Sequence, residues 1–357
     1  MPAYKIISAR SPYQVVINEP TQISTKVELF IWAIGTTEPT IPTYIMSESI
    51  ASVTQIETSY NISPFILEYI DKYKTFYDDV NLIEVYDNEC CLFKYKTYYS
   101  TDGITYYKLD DFEGVGLNAF TRVEDGYNYN IIVSNQYCLL ADENIKVKWN
   151  TIIPFYNFII IEPTINYDFN YYDDTNTLIN TFSYNPADIT LLSVPLVFVS
   201  TTTSVRLEIL SNGSILIYTI NTEQIEECKY EPRQFWFVNK LGGWQPYVFF
   251  KASTDTINVK GSEYNLMQRE IDYDYRRGQS KPFNINGSKT MKVNTGWVEE
   301  SDFDILQEMM LSDTILYNEN PMTVKSTSLL KQTYLKERNI NYTIEFEYAN
   351  NLINTIV

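Results

Sequence analysis

The sequence predicts a mainly-β protein: tandem β-sandwich domains of the immunoglobulin or fibronectin kind, followed by a C-terminal β domain with one short helix. Three observations carry that expectation. Alternating apolar and polar segments, rich in β-branched and aromatic residues, recur along the chain. Turn signals separate them every ~8–12 residues through the middle of the sequence. Apolar residues at helical spacing occur in only two short stretches. At 357 residues the chain suits two or three domains, and at 45% hydrophobic it can bury substantial cores.

The first domain is expected over residues 1–115. Tyr13–Ile17, Lys26–Ile34 and Val53–Tyr60 alternate as strands do. In the next segment Ser63 is a natural N-cap and Pro64 fits the first helical position, where its missing N–H costs nothing. Phe65, Ile66, Tyr69, Ile70 and Tyr73 then share a face, which predicts a helix over 64–73. Cys91–Tyr99 and Ile104–Leu109 read as a hairpin around Asp102-Gly103, since glycine tolerates positive φ. The acidic, glycine-containing stretch Asp110–Gly116 reads as a boundary.

A middle β-sandwich is expected over 116–232. Its candidate strands are Asn130–Val133, Ile145–Trp149, Phe155–Ile161, Leu178–Ser183, Leu196–Ser200, Val205–Leu210 and Ile215–Ile220, with a turn at Ser211–Ser214. Tyr230–Arg233 reads as the second boundary. The C-terminal domain, 233–357, opens with Gln234–Val238, a Gly242-Gly243 return and Tyr247–Lys251. Glu263–Tyr275 and Ser288–Trp297 are long polar-alternating segments. Ser301–Asp304 resembles a capping box, and Phe303, Leu306, Met309 and Met310 make one apolar face, which predicts a helix over 302–311. Met322–Ser326 and Asn341–Tyr348 return to strand.

Composition excludes more than it assigns. The chain has no histidine, which removes Ser-His and Cys-His couples and every His-ligated metal site. No phosphate-binding glycine loop of the common kinds occurs; Gly242-Gly243 reads as a β-turn. Cys90, Cys91, Cys138 and Cys228 show no C-x-x-C spacing and read as reduced, mostly buried thiols. With 27 Lys and Arg against 45 Asp and Glu, net −18, and no basic run, the footprint of a nucleic-acid binder is missing. Met1–Arg10 shows no secretory pattern, and the apolar stretch Ile189–Val199 is too short to span a bilayer, so no membrane insertion is expected.

Carboxylate chemistry stays open, because two Asp or Glu residues flanking a cleft suffice for glycoside hydrolysis. Asp110-Asp111, Asp173-Asp174, Asp272 with Asp274, and Glu299-Glu300 are the candidate pairs, though an acidic chain offers many by chance. Tyr167–Asn176 concentrates oxygen ligands but lacks the calcium-loop order, so an Asn/Asp-rich turn is the better reading. Asn212, Asn286 and Asn341 fit glycosylation acceptors and are treated as chance matches. Phe235, Trp236, Phe237, Trp244, Tyr247, Phe249 and Phe250 read as core or interface before sugar-stacking residues. No catalytic, cofactor-binding or metal-binding residue is assigned. Thirty-one tyrosines against 18 Phe and 5 Trp suit half-buried strands and subunit contacts.

Two features carry a family resemblance. One is the strand leading into Asn61–Ile70. The other is the C-terminal order Phe237–Trp244, Asp304–Asp313, Pro321–Ser326 and Asn341–Ala349. In these the chain resembles virion structural proteins of tailed phages of gut Bacteroidetes, especially crAss-like phages, and among them tail ring or hub components. The resemblance implies a non-enzymatic subunit of a closed ring between portal and tail tip, placed in the virion tail and assembled in the bacterial cytoplasm. Its implied partners are copies of itself, other tail proteins and the portal complex, with genomic DNA passing through unbound. Acidic residues lining the channel would keep that DNA from sticking. The alternative is a tail-associated carbohydrate-binding or polysaccharide-degrading protein.

Overall fold

A computed structural model describes residues 5–50, 55–70, 83–85, 90–128, 137–141, 146–149, 155–161, 165–196, 204–224, 229–267, 274–331 and 340–353. The protein is mainly β, of β-sandwich type, with 23 strands and two α-helices among the described residues. It divides into two compact units: residues 1–225 with 238–246, and residues 226–237 with 247–357. No helix among the described residues is long and apolar enough to cross a membrane.

The first unit begins with β1 (Lys5–Ser8), β2 (Gln14–Asn18), β3 (Ser24–Ala33), β4 (Tyr44–Ser49), β5 (Glu57–Asn61), α1 (Ser63–Tyr69), β6 (Ile83–Val85), β7 (Cys90–Ser100) and β8 (Tyr107–Leu117). A five-stranded sheet runs β1-β8-β7-β3-β4, and β2 pairs with β5 as a separate ribbon. Alternation along β3 sends Val27, Leu29 and Ile31 into a core, while Lys26 and Glu28 form an ion pair on the other face. That core is closed by the β2–β5 ribbon and by Ile62, Ile66 and Ile70 around α1. Buried hydroxyls pin ribbon to sheet: Thr25 Oγ1 lies 3.0 Å from Thr58 Oγ1 and 2.7 Å from the Tyr60 hydroxyl, which donates to the Thr25 carbonyl.

Three local readings need correction here. Ser63 is not the cap: Ile62 holds that position, Ser63 lies in the first turn, and no side chain caps the helix. The helix ends at Tyr69, with Ile70 in extended backbone, short of the expected Tyr73, which lies outside the described residues. Asp110–Gly116 is no boundary but the body of β8, paired with β7 throughout. Its glycines serve close approach: a Cβ on Gly116 would lie 2.4 Å from Ile66 Cγ2. The expected division at 115/116 therefore falls inside a strand. By contrast, the Asp102 turn forms as expected. The Asp102 carboxylate accepts from Thr105 N–H, Ile104 N–H and Ser100 Oγ, which holds its pKa far below the usual carboxylate range.

The same unit continues with β9 (Tyr137–Leu139), β10 (Lys146–Trp149), β11 (Phe155–Ile160), β12 (Tyr167–Tyr172), β13 (Leu178–Tyr184), β14 (Thr190–Pro195), β15 (Ser204–Ser211) and β16 (Ile215–Gln224). Sheets β6-β14-β11-β9 and β10-β16-β15-β12-β13 enclose a core of Phe158, Tyr167, Phe169, Tyr171, Leu192, Leu207 and their neighbours. The other face of the four-stranded sheet puts Ile159, Ile161, Ile189 and Leu191 against Ile6, Cys90, Leu92, Val115 and Leu117. This second core, and the passage of β6 from the N-terminal segment into the four-stranded sheet, weld the two expected sandwiches into one unit. Ser211–Ser214 turns with Asn212 and Gly213 both at positive φ, the geometry that a two-residue hairpin favours. The expected strands at 130–133 and 197–200 lie outside the described residues.

The second unit holds one sheet and one helix. β17 (Arg233–Val238), β18 (Trp244–Phe249), β19 (Thr254–Asn265), β20 (Ser280–Asn294), β21 (Ile315–Tyr317), β22 (Asn320–Val324) and β23 (Thr343–Tyr348) run in the order β18-β17-β21-β22-β23-β20-β19. The helix α2 (Asp302–Leu311) covers the sheet with Leu306 and Met309, packed among Phe235, Phe249, Met291, Ile344 and Phe346. Its span is the one the sequence predicts. Ser301 sits at the N-cap but makes no side-chain cap; Asp302 Oδ2 instead accepts from the Glu299 N–H at 3.0 Å.

Candidate functional site

Of the carboxylates singled out for chemistry, Asp111, Asp173 and Asp274 are tied into an ion pair and turns. Asp110 and Asp111 are successive β8 residues; Asp110 exchanges backbone hydrogen bonds with Thr97 Oγ1, and Asp111 pairs with Lys108 at 2.8 Å. Asp173 closes a turn, accepting from Thr175 Oγ1 at 2.7 Å and from the N–H groups of Thr175 and Thr177. Those bonds lower its pKa, with the Thr175 hydroxyl foremost. The candidate calcium loop is largely strand β12, followed by this turn. Asp274 accepts from the Arg276 N–H, and Asp272 lies outside the described residues. Glu299 and Glu300 form the turn entering α2 through the Glu299 N–H and the Glu300 carbonyl. No group of three or more Cys, Asp or Glu side chains that could hold a metal occurs among the described residues.

The aromatic run is equally committed. Phe235, Phe237, Tyr247 and Phe249 belong to the core of the second unit; Trp236, Trp244 and Phe250 are buried. Tyr247 donates to Asp302 Oδ1 at 3.2 Å, and burial, with Asp302 beside it, pushes its pKa well up. Of the three sequon asparagines, Asn286 is structural: its amide donates to the Ile353 carbonyl and accepts from the Ile353 and Gly287 N–H groups.

The Gly242-Gly243 turn is a latch within the first unit. Asn239, 1% exposed, accepts from Leu241 and Gly243 N–H at 3.0 and 3.1 Å through Oδ1. Its amide donates to the Leu140 carbonyl at 2.9 Å and to Gln245 Oε1 at 3.0 Å. Asn157 Oδ1 accepts the Trp244 N–H at 3.0 Å. Any side chain at 243 would strike Leu140, whose carbonyl oxygen lies 2.4 Å from an added Cβ. With its N–H groups turned inward and satisfied, this turn offers no cradle for a phosphate.

Cys90 and Cys91 are buried thiols. Burial pushes the Cys91 thiol up to about 12. A raised folded-state pKa contributes stability in full below the ordinary thiol pKa of 9.0, lost as pH rises from there towards 12. Cys91 is therefore expected to resist iodoacetamide at pH 8 in the native protein and to react once urea unfolds it, as peptide mass spectrometry would show.

The feature that the fold leaves unused is an arm. β19 and β20 pair from Thr254–Lys292 to Asn265–Ser280, but β23 pairs with β20 only over Thr290–Asn294. From Ile257 to Asn265 the ribbon continues beyond that pairing for roughly 30 Å of strand. Leu352 and Asn286 brace its base. Ile257 and Val259 share one face and are 61% and 66% exposed. Nearer the tip, Tyr264 and Phe283 meet edge to face with centroids 5.6 Å apart, each 48% exposed. Among the described residues β19 is also the outer strand of the sheet, a long edge of the kind proteins usually cover. The sequence signal was the alternation Thr254–Lys260, hidden by a long loop without a tight-turn motif.

No protein-family model and no curated protein matches the chain. Among solved structures it is similar to a chain described as "Biofilm associated protein - BSP domain", with 10% sequence identity and a TM-score of 0.18. The match covers 81% of this chain and 63% of that one, so this chain spans less than two thirds of that neighbour's length. A TM-score this low does not establish a shared fold.

Proposed function

We propose that this chain is a structural subunit of a phage virion, a tail ring or hub component that oligomerises around the DNA channel between portal and tail tip. The observation that carries the reading is the β19–β20 arm. It exposes large apolar side chains along a strand that is a sheet edge among the described residues, a combination that proteins usually cover. The β-rich body supports the reading: Asp173 holds a turn, Asp111 an ion pair, and the aromatic run is buried. A ring needs a heterologous contact that closes by rotation, made between different surfaces of neighbouring copies. In the proposed ring the acidic body faces passing DNA and repels it, consistent with the net charge of −18.

Incubating the purified chain with host capsular polysaccharide separates this reading from a depolymerising tail protein. The expected result is intact polysaccharide. Release of oligosaccharides would overturn the structural reading.

A further inference from the structure

We propose that the β19–β20 arm docks along the open β13 edge of a second copy of this chain. The proposal rests on the assembly reading above and names the two surfaces that meet.

Charge selects the pairing. Residues 254–294 hold seven Lys and Arg against five Asp and Glu. They are net +2 in a chain of net −18, which leaves −20 for everything else. Lys260, Arg276 and Arg277 are exposed along the arm and at its tip. The segment 165–196 is the opposite: four Asp and no Lys or Arg. Within it β13 is the outer strand of its sheet among the described residues, Leu178 is 51% exposed, and Asp174 is exposed in the turn beside it.

Geometry matches as well. Both β13 and β19 are edge strands, and two such edges join by the hydrogen-bond ladder that extends any sheet. The apolar face of Ile257 and Val259 gains cover in the same step. The two surfaces are different, so made one way between neighbours the contact builds rings or filaments, and made reciprocally it builds an arm-exchanged dimer.

The test is sedimentation of the full chain across the micromolar range, with Ile257→Asp/Val259→Asp, Arg277→Glu, Asp174→Arg and the combined Arg277→Glu/Asp174→Arg chains. These side chains are exposed, so circular dichroism and melting should match the parent. The parent is expected to self-associate. The double aspartate variant should weaken association at least ~10-fold. Each single reversal should weaken it, and the combined reversal should restore it. A monomeric parent, or a double aspartate variant that associates like the parent, overturns the proposal; absence of rescue overturns β13 as the acceptor. A monomeric chain present at fixed copy number in virions would sink this inference and leave the ring reading standing. Arm-dependent association of a chain absent from virions would do the reverse.

Discussion

Asn239→Ala is expected to lower the stability of the first unit by about 4 kcal/mol. The substitution removes four hydrogen bonds made by a side chain that is 1% exposed. It takes this partner from the Leu140 carbonyl, Gln245 Oε1 and the Gly243 N–H, all in buried residues. Each unsatisfied buried group costs about 1–3 kcal/mol, and partial relaxation keeps the total below the sum. For a unit of this size the melting transition should fall by roughly 8–16 °C. Asn157→Ala removes one bond from the same latch, to Trp244 N–H, and should cost about 1–3 kcal/mol. Urea unfolding of the two variants checks the order; equal or negligible effects would mean that the latch does not hold the turn.

Phe235→Ala should cost the second unit about 3–5 kcal/mol, the range for emptying a buried aromatic site. Phe235 is fully buried and touches three other rings: Phe346 at 4.4 Å between centroids, Tyr317 at 5.0 Å and Phe249 at 5.4 Å. These partners come from β23, β21 and β18, three strands far apart in sequence, so no single neighbour can move in to fill the void. Hydrogen exchange should rise across β21, β22 and β23 while the first unit keeps its protection. Phe283→Ala is the contrast. Phe283 is 48% exposed on the arm, so the change should leave the isolated chain's melting nearly unmoved.

What was legible in the sequence followed period and local turn chemistry. The helix over 302–311 was readable because Phe303, Leu306, Met309 and Met310 keep a helical spacing between polar neighbours. β3 and β7 were readable from clean alternation, and the Asp102-Gly103 turn from its residues. The misreadings arose where tertiary packing overrode local signals. Asp110–Gly116 looks like a boundary because it is acidic and contains glycines. In the fold those glycines are flat spots on β8 that admit Phe93 and Ile66. Tyr167–Asn176 reads as an Asn/Asp-rich turn; the turn forms from Asp173 on, while Tyr167, Phe169 and Tyr171 alternate inward and make β12. Ser63 has the right chemistry for a cap but sits one residue too late. The arm was least legible, since its two strands are separated by residues 266–279 and each alone reads as polar.

The acidic candidates teach the same lesson about the site. An abundance of Asp and Glu gives many sequence pairs by chance, and the structure ties Asp102 and Asp173 into turns and Asp111 into an ion pair.

The most direct test of the proposed ring role is the copy number and position of this chain in virions purified from cells that produce it, by quantitative mass spectrometry and electron cryomicroscopy. A ring subunit predicts a small fixed copy number and a closed layer of density on the tail axis, with each arm reaching its neighbour. Absence from the virion, or presence only as a scattered surface appendage, would contradict it.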